Sequence, residues 1–463
     1  MSENKKNAFV TEVQFIMDEC MRLGPKVSSS SNLKQIPRDD YLFTLPHPAG
    51  RGEMICGKAA AQAVGRLADE AARRSGITGQ VDRDTIRKPL ERLLVSRFFN
   101  ENRAVDVMQV DRILASAAKQ AKSNLATIVH LIPCHLMRGG EPDELVFGPV
   151  KFMNRSGFRK LILDAQKITR NSARTELELR RRELLPRAIR YYRHFEWVAQ
   201  VEVTGCDVQT SADVATNAVV AALDCLHVLL GPENTDRMQV GGVGLSRDIR
   251  AKLTISGAGA IEPSLSYAPF GHVEYQEGWS DILKSDHIIE MMRLCGIALE
   301  AATTPNLQRP LSRRFLDAVQ WFGEGCRDDS PSTRTIKFMT SVERLLTTGE
   351  HDDIAGTLAE RTANLCFSQD ESRDQWREKT ARAYDYRSRL VHGSMSPRHP
   401  DIWRGAHLSG EVSLAVLRNA LRHFGEAGFT STKLTEKRLA QWFGDVAEWA
   451  QRCESSFPSE LGQ

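Results

Sequence analysis

The chain has 463 residues, which is enough for two or three domains. Its 62 Lys and Arg against 59 Asp and Glu leave a net charge of +3, so a wholly basic surface is excluded and any nucleic-acid site must be a local patch. A hydrophobic fraction of 41% excludes wholesale disorder, and nine scattered cysteines without a repeated Cys-x-x-Cys are typical of a reducing, cytoplasmic environment.

The first half of the chain mixes helical and strand-like patterns. A short helix is predicted near the N-terminus, where "MSENKKNAFV" lacks the apolar core of a signal peptide. Helices are predicted from Gly57 to about His130. The strand-like pieces "LVFGPVKFM" and "FEWVAQVEVTG" follow, separated by a charged helix over about Arg170–Arg193. The most apolar run, residues 215–231, contains Asp224 and His227, so it predicts a buried core helix and no membrane span.

The pattern changes near residue 302. Before it, "RAKLTISGAG" and "PSLSYAPFGHVEY" resemble strands, so residues 1–302 are predicted to form an α+β N-terminal sensor or regulatory region, with a further division near 140–150 left open. From Leu311 onward the sequence is almost entirely helical, and short polar breaks predict an all-α helical bundle over 303–463. Ser332 or Thr333 is predicted to cap the helix that contains "IKFMTSVERLL".

One helix of this bundle ends in "YDYRSRLVHG". When this helix is plotted as a wheel at about 100° per residue, its core-facing side consists of Trp376, Thr380, Ala383, Leu390 and Val391. Arg387 lies in the middle of that apolar side, where a charge is costly unless it is paired or meets solvent at a cleft. His392 lies about 140° from Arg387 around the helix, and Gly393 is a typical residue after a helix end.

A partner for Arg387 is available on another helix. Glu343 falls on the same side of its helix as the apolar residues Ile336, Met339 and Leu346. Two charges on core-facing sides predict an ion pair between Glu343 and Arg387 or Arg389. The alternative is that the pair only stabilises the bundle and His392 is a solvated helix end.

The same segments resemble a known family. Arg387-Ser-Arg-Leu-Val-His392 matches the R-x(4–6)-H motif of the ribonucleases in the HEPN superfamily. The segments "VERLLTTG", "LAERTANL" and "YRSRLVHG", in that order, are similar to the Apea-like HEPN branch, which is associated with phage defence. The resemblance covers roughly residues 310–425 and does not extend to the first 300 residues.

This resemblance implies a metal-independent endoribonuclease that needs no cofactor. It would cut single-stranded RNA or tRNA in antiphage defence or abortive infection, as a homodimer or larger homo-oligomer, under a phage-derived trigger or regulatory partner. It implies that Arg387 and His392 are catalytic: an arginine can hold the phosphate and a histidine can transfer protons to and from the RNA oxygens. The supporting residues would be Glu343, Ser388, Arg389 and Asp385.

Basic and aromatic residues near the motif suit single-stranded RNA. The candidates for RNA contact are Tyr384, Tyr386, Arg398 and Arg404. Residues 373–404 contain eight Lys and Arg against four acidic residues, and residues 167–193 contain nine against three. Residues 167–193 are more typical of an ordinary solvated helix. His399 and His407, predicted to lie in the loop after the motif, are further acid or base candidates, and the alternative is that each is a solvated loop histidine.

Other motifs are weaker. "GEMICGKA" from Gly52 to Ala59 lacks the Ser/Thr of a P-loop, which disfavours an NTP-driven enzyme. His130, Cys134 and His135 lack a second ligand pair for zinc, so no metal site is predicted. The main competitor is a catalytically silent HEPN module that binds nucleic acid or a partner protein.

Overall fold

The structure is a computed structural model, and it describes residues 3–29, 43–137, 141–170, 185–186, 188–232, 235–236, 238–241, 248–255, 261–268, 279–349, 352–368 and 371–452. The chain divides into two compact units. One unit comprises Met1–Ile128 and Val203–Asp213, and the other comprises Val129–Glu202 and Val214–Gln463. This division differs from the boundary predicted near residue 302.

The first unit is mainly helical. Its helices are α1 (Glu3–Ser29), α2 (Lys58–Ser75), α3 (Arg83–Leu94, continued by a π-helical turn at Val95–Asn100) and α4 (Val107–Lys122). Strand β1 (Phe43–Pro46) pairs antiparallel with β2 (Glu53–Cys56). Leu67, Leu90 and Leu114 meet in the core of this unit. The helices predicted from Gly57 end at Lys122, not near His130.

A five-stranded sheet has the order β4-β5-β6-β3-β7. Its strands are β3 (Ala126–His135), β4 (Glu144–Phe147), β5 (Val150–Asn154), β6 (Trp197–Cys206) and β7 (Gln239–Val240). β5 pairs antiparallel with both β4 and β6. The strands predicted in "LVFGPVKFM" and "FEWVAQVEVTG" are thus confirmed. His130 lies in β3 because the β-branched run "TIV" favours a strand.

Helix α5 (Arg155–Arg170) follows the sheet strand β5, and helix α6 (Val208–Leu230) follows β6. With 23 residues and a mean hydropathy of 1.5, α6 is long and apolar enough to cross a membrane, but 67% of its apolar window is buried within the protein. Asp224 and His227 on α6 have no exposed surface. The prediction of a buried core helix is therefore confirmed.

Strands β8 (Asp248–Ile255) and β9 (Ile261–Ala268) form an antiparallel hairpin, where strand-like segments were predicted. The remaining described elements of the second unit are helices. Its helices are α7 (Trp279–Ile282), α8 (Asp286–Thr303), α9 (Pro310–Arg327), α10 (Pro331–Leu346), α11 (Ile354–Cys366), α12 (Arg373–Val391), α13 (Ile402–Thr430) and α14 (Glu436–Arg452). Gly425, with φ of 57°, interrupts α13. A helical C-terminal region is therefore confirmed.

The cap predicted for α10 was wrong. Ser330 is the N-cap residue and Pro331 occupies the first helical position, so Ser332 and Thr333 lie inside the helix. Proline favours this first position because its fixed φ suits the helix and its missing N–H would have no partner there.

Polar contacts explain why the second unit extends back before residue 302. Arg418 of α13 donates to the carbonyl oxygens of Val228 and Leu229 at 2.9 and 2.8 Å. Arg327 of α9 donates to Asp224 Oδ1 at 2.5 Å. The core helix α6 is therefore bonded directly to helices that lie after the predicted boundary.

Candidate functional site

Helix α12 carries the predicted motif, and both of its ends are fixed by local sequence. At the start, the Ser372 hydroxyl accepts from the Gln375 N–H, while the Gln375 side chain accepts from the Ser372 N–H. At the other end, His392 is the C-cap residue, and Gly393 follows with φ of 74°, a left-handed conformation that favours glycine. The predicted helix end at His392 and Gly393 is confirmed.

Arg387 forms the ion pair that its position in the apolar side predicted. Its Nη2 donates to Glu343 Oε2 of α10 at 3.1 Å. The two side chains are only 21% and 19% exposed. The Arg387 guanidinium also lies over the Tyr384 ring, 5.5 Å from its centroid. A salt bridge and a ring therefore hold the guanidinium from two directions.

This ion pair does not use all of its hydrogen-bonding groups. Within the described part of the chain, Glu343 Oε1 and Arg387 Nε are buried and have no hydrogen-bond partner. The contact to Glu343 is therefore a single bond and not the two-bond fork that arginine and carboxylate can form. A guanidinium has five N–H donors, so Arg387 retains donors for an anionic ligand.

Burial shifts the pKa values of Glu343 and Tyr384 upward. Burial raises the pKa of Glu343, and the nearby Arg387 opposes that rise. Burial also raises the pKa of Tyr384, with a further contribution from the negative charge of Glu343. Burial therefore favours the uncharged form of Glu343, whereas the Arg387 charge favours the ionised form.

His392 lies at the surface, unlike Arg387. Residues 391–394 are all exposed. The His392 N–H donates to the Ser388 carbonyl at 2.9 Å, which continues the helical bonding to the last turn. Val391 was expected in the core-facing side but is 49% exposed, because the described part of the chain leaves the final turn of α12 uncovered. An imidazole in this position is free to meet a ligand from solvent.

The remaining predicted supporting residues lie around the motif. Arg389 forms an exposed bond with Asp385 at 3.4 Å, one helical turn away. The Arg389 carbonyl accepts from the Ser394 hydroxyl and from the Met395 N–H, so it anchors the turn that follows His392. The backbone carbonyl of Ser388 accepts the hydrogen bond from the His392 N–H. These contacts fix the turn, and none of them joins Arg389 to Glu343.

The four candidates for RNA contact lie in two different settings. Tyr384 is partly buried beneath the Arg387 guanidinium. Tyr386 packs on Gly405 of α13, where a Cβ atom would come within 2.8 Å of its ring, so its face is occupied by the protein. Arg398 is exposed, and Arg404 is 71% exposed and 4.0 Å from Asp401. Of the four, the two arginines are exposed and the two tyrosines are partly buried.

The other sequence candidates take structural positions. Glu53–Cys56 is a strand, so Gly52–Ala59 does not form the phosphate-binding loop of a P-loop. Cys134 and His135 are buried in β3, where burial lowers the pKa of His135. Among the described residues, no group of three or more His, Cys, Asp or Glu side chains could hold a metal ion.

The two further histidine candidates lie after the motif, and His407, which was predicted in a loop, lies in a helix. His399 accepts from the Asp401 N–H at 3.2 Å through Nδ1. His407 lies in the second turn of α13. Most of the basic stretch at 167–193, predicted as a helix over about Arg170–Arg193, falls outside the described residues.

Sequence reasoning missed a buried polar network in the core helix. Arg327 donates to Asp224 and approaches His227 Nε2 at 3.1 Å, and His227 Nδ1 lies 2.6 Å from Thr235 Oγ1. Because Nε2 faces a cation, it must accept, and Nδ1 therefore donates to Thr235, whose hydroxyl donates to the Gly231 carbonyl. Burial raises the pKa of Asp224 to about 7 and lowers that of His227. The sequence signal for this network was the presence of two polar residues, Asp224 and His227, in the most apolar run.

Comparison with known proteins adds no relative. No family model matches the chain, and neither a curated protein nor a solved structure matches it.

Proposed function

We propose that this chain is a HEPN-type endoribonuclease that cuts single-stranded RNA without a metal ion. The observation that carries the proposal is the arrangement of Arg387: a mostly buried arginine side chain held by Glu343 and Tyr384, five residues before an exposed histidine at the helix end. Arg387 and His392 supply the two residue types that the proposed reaction needs, a phosphate-binding cation and a proton-transfer group.

The chemistry follows from the residue types. RNA carries its own nucleophile, the 2′-OH, which must lose a proton as its oxygen attacks the adjacent phosphorus. The 5′-oxygen of the next nucleotide leaves and must gain a proton. His392 can serve in either proton transfer, and Arg387 can hold the extra negative charge of the phosphorane. The products would be a 2′,3′-cyclic phosphate and a 5′-hydroxyl end.

The separation of Arg387 and His392 on α12 favours a site shared by two protomers. Five residues along a helix amount to a rise of about 7.5 Å and a rotation of about 140°. One helix therefore points the two side chains in different directions. In a two-fold dimer, the arginine of one protomer can face the histidine of its partner, and the exposed Val391 next to His392 offers apolar surface for such a contact.

Mixed dimers test the shared site. Tagged Arg387→Ala and His392→Ala chains are co-expressed, and dimers that carry both tags are purified. If each site combines residues of two protomers, the mixed dimer contains one intact site and should cut RNA at about half of the wild-type rate. No activity above that of the two parental dimers would show that both residues act within one protomer.

The cellular role that we propose is antiphage defence in the cytoplasm, with residues before the bundle sensing a trigger. The test is to express wild type and His392→Ala in bacteria and to sequence RNA 5′-hydroxyl ends. We expect new ends in single-stranded RNA or tRNA only with wild type. Equal growth and identical RNA ends for both proteins would favour a silent module that binds RNA or a partner protein instead.

A further inference from the structure

A cleft of about 630 Å³ lies outside the residues that we propose for catalysis. Its walls include Arg334 and Phe338 of α10, Trp403 and His407 of α13, and Pro232 after α6. Sites for small organic ligands typically enclose roughly 300–1,000 Å³. The volume and the three separate walls therefore suit a ligand of that class.

The walls of this cleft are fixed by bonds within the protein. Arg418, which also lines it, is bound to two carbonyl oxygens at the end of α6. The Thr235 bond to the Gly231 carbonyl and the His227 bond to Thr235 hold the chain after α6. The cleft is therefore largely preformed, which lowers the conformational cost of filling it.

Most charges around the cleft are already engaged. Glu411 pairs with Lys379 at 2.6 Å, and the Arg418 guanidinium donates to backbone carbonyl oxygens at the end of α6. Arg334 differs. Its Nε is buried and has no hydrogen-bond acceptor in the part of the chain that the structure describes. The guanidinium lies 5.8 Å from the centroid of the Phe338 ring, which orients it. A cationic guanidinium in the wall of the cleft suits an anionic group.

Trp403 supplies the second recognition element. This residue lines the cleft and is 62% exposed. The apolar core residues of the same helix are buried. An exposed indole and a guanidinium that line the same cleft match the two parts of a nucleotide, because every base has a flat face for stacking and every phosphate can accept from an arginine fork.

We propose that this cleft binds one nucleotide unit, with its base stacked on Trp403 and its phosphate held by Arg334. A free nucleotide and one residue of an RNA chain present the same chemistry. The cleft adjoins the motif helix through α13, because Tyr386 contacts Gly405, the neighbour of the lining residue Ala406. Binding of a nucleotide here does not depend on RNA cleavage and can be measured without it.

The experiment measures binding to the full-length wild-type protein by calorimetry and by fluorescence anisotropy. Adenosine 5′-monophosphate is the free-nucleotide probe, and adenosine is its phosphate-free control. A labelled single-stranded 2′-O-methyl RNA is the chain probe, because it lacks the free 2′-OH that cleavage requires. Saturable binding of the monophosphate identifies a free nucleotide as ligand, whereas saturable binding of only the chain probe identifies RNA.

The variants separate stacking from phosphate binding. Trp403→Ala should weaken binding of the responding probe about tenfold, and Trp403→Phe should recover most of it. If the monophosphate binds, Arg334→Gln should abolish the preference for the monophosphate over adenosine. If only the chain probe binds, Arg334→Gln should weaken its binding about tenfold, as Trp403→Ala does. Trp321→Ala and Arg112→Gln, exposed residues that do not line the cleft, should bind as wild type does.

Two results would overturn the assignment. One is the absence of saturable binding of either probe up to millimolar concentration. The other is binding that Trp403→Ala leaves unchanged while circular dichroism confirms that the variant is folded. Because the indole is mostly exposed, its removal should not unfold α13.

Discussion

Removing the Glu343 carboxylate should loosen helix α12 by a measurable amount. In Glu343→Ala, the Arg387 guanidinium loses the acceptor that it has at 3.1 Å while it stays about four-fifths buried. Breaking a fully buried pair costs about 3–5 kcal/mol, and a surface pair is worth about 0–1 kcal/mol. With both side chains about one-fifth exposed, we expect a loss of roughly 1–3 kcal/mol.

Glu343→Gln should behave differently. Glutamine keeps both the side-chain volume and an oxygen that can accept from Arg387. Burial raises the pKa of Glu343, which means that the site disfavours the ionised carboxylate. An uncharged acceptor should therefore cost less than about 1 kcal/mol. The order of stability should be wild type, then Glu343→Gln, then Glu343→Ala.

The assay is amide hydrogen exchange followed by mass spectrometry, read on peptides from Arg373–Val391. A loss of 1–3 kcal/mol corresponds to exchange that is roughly 5- to 150-fold faster in that helix. A double-mutant cycle with Arg387→Ala should give a coupling energy of about 0.5–2 kcal/mol.

The control is the neighbouring exposed pair, Arg344 with Asp317, whose side chains are 44% and 50% exposed. Asp317→Ala should change stability by less than about 1 kcal/mol. Exchange in Arg373–Val391 that is unchanged by Glu343→Ala, or a cycle with zero coupling, would refute the view that Glu343 positions Arg387.

Two further predictions concern stability. The folded-state pKa of Asp224 is about 7, above the value of about 3.9 for an unfolded chain. The contribution of Asp224 to the free energy of unfolding is therefore complete below about pH 4 and is lost as pH rises through 7. Asp224→Asn should therefore destabilise the protein more at pH 5 than at pH 8, by roughly 2–3 kcal/mol in denaturant titrations; an equal effect at both pH values would contradict this. Ser372→Ala removes the N-cap of α12 and should cost about 1 kcal/mol, with faster exchange in its first turn, while Ser372→Asp should retain wild-type protection.

Local features of the site could be predicted from the sequence because they depend on helical spacing. Glu343 and Arg387 each occupy an apolar side, and each needed a partner, so their ion pair followed from two independent helical patterns. The end of α12 followed from Gly393, whose left-handed backbone conformation few other residues adopt readily. The helical C-terminal region followed in the same way, from repeated apolar spacing between short polar breaks.

Features that depend on distant contacts could not be predicted. The apolar spacing assigned Val391 to the core, but spacing carries no information on where neighbouring elements stop covering a helix. The contact between Asp224 and Arg327 joins residues 103 positions apart. The sequence indicated that a polar residue in an apolar run needs a partner, but it could not say which partner.

The division into compact units also depends on distant contacts. Composition changes near residue 302, whereas the compact units are set by contacts such as that of Arg418 with the end of α6. The cleft at Trp403 was missed because its walls come from three segments that are far apart in the chain.

The most direct test of the proposed activity is RNA cleavage by the purified protein in excess EDTA. Labelled single-stranded RNA and the matching DNA are incubated with wild type, Arg387→Ala and His392→Ala, and the new ends are analysed. We expect wild type to leave 2′,3′-cyclic phosphate and 5′-hydroxyl ends on RNA alone, with each variant at least about 100-fold slower. Cleavage that requires added Mg²⁺, that also occurs on DNA, or that survives His392→Ala would contradict the account.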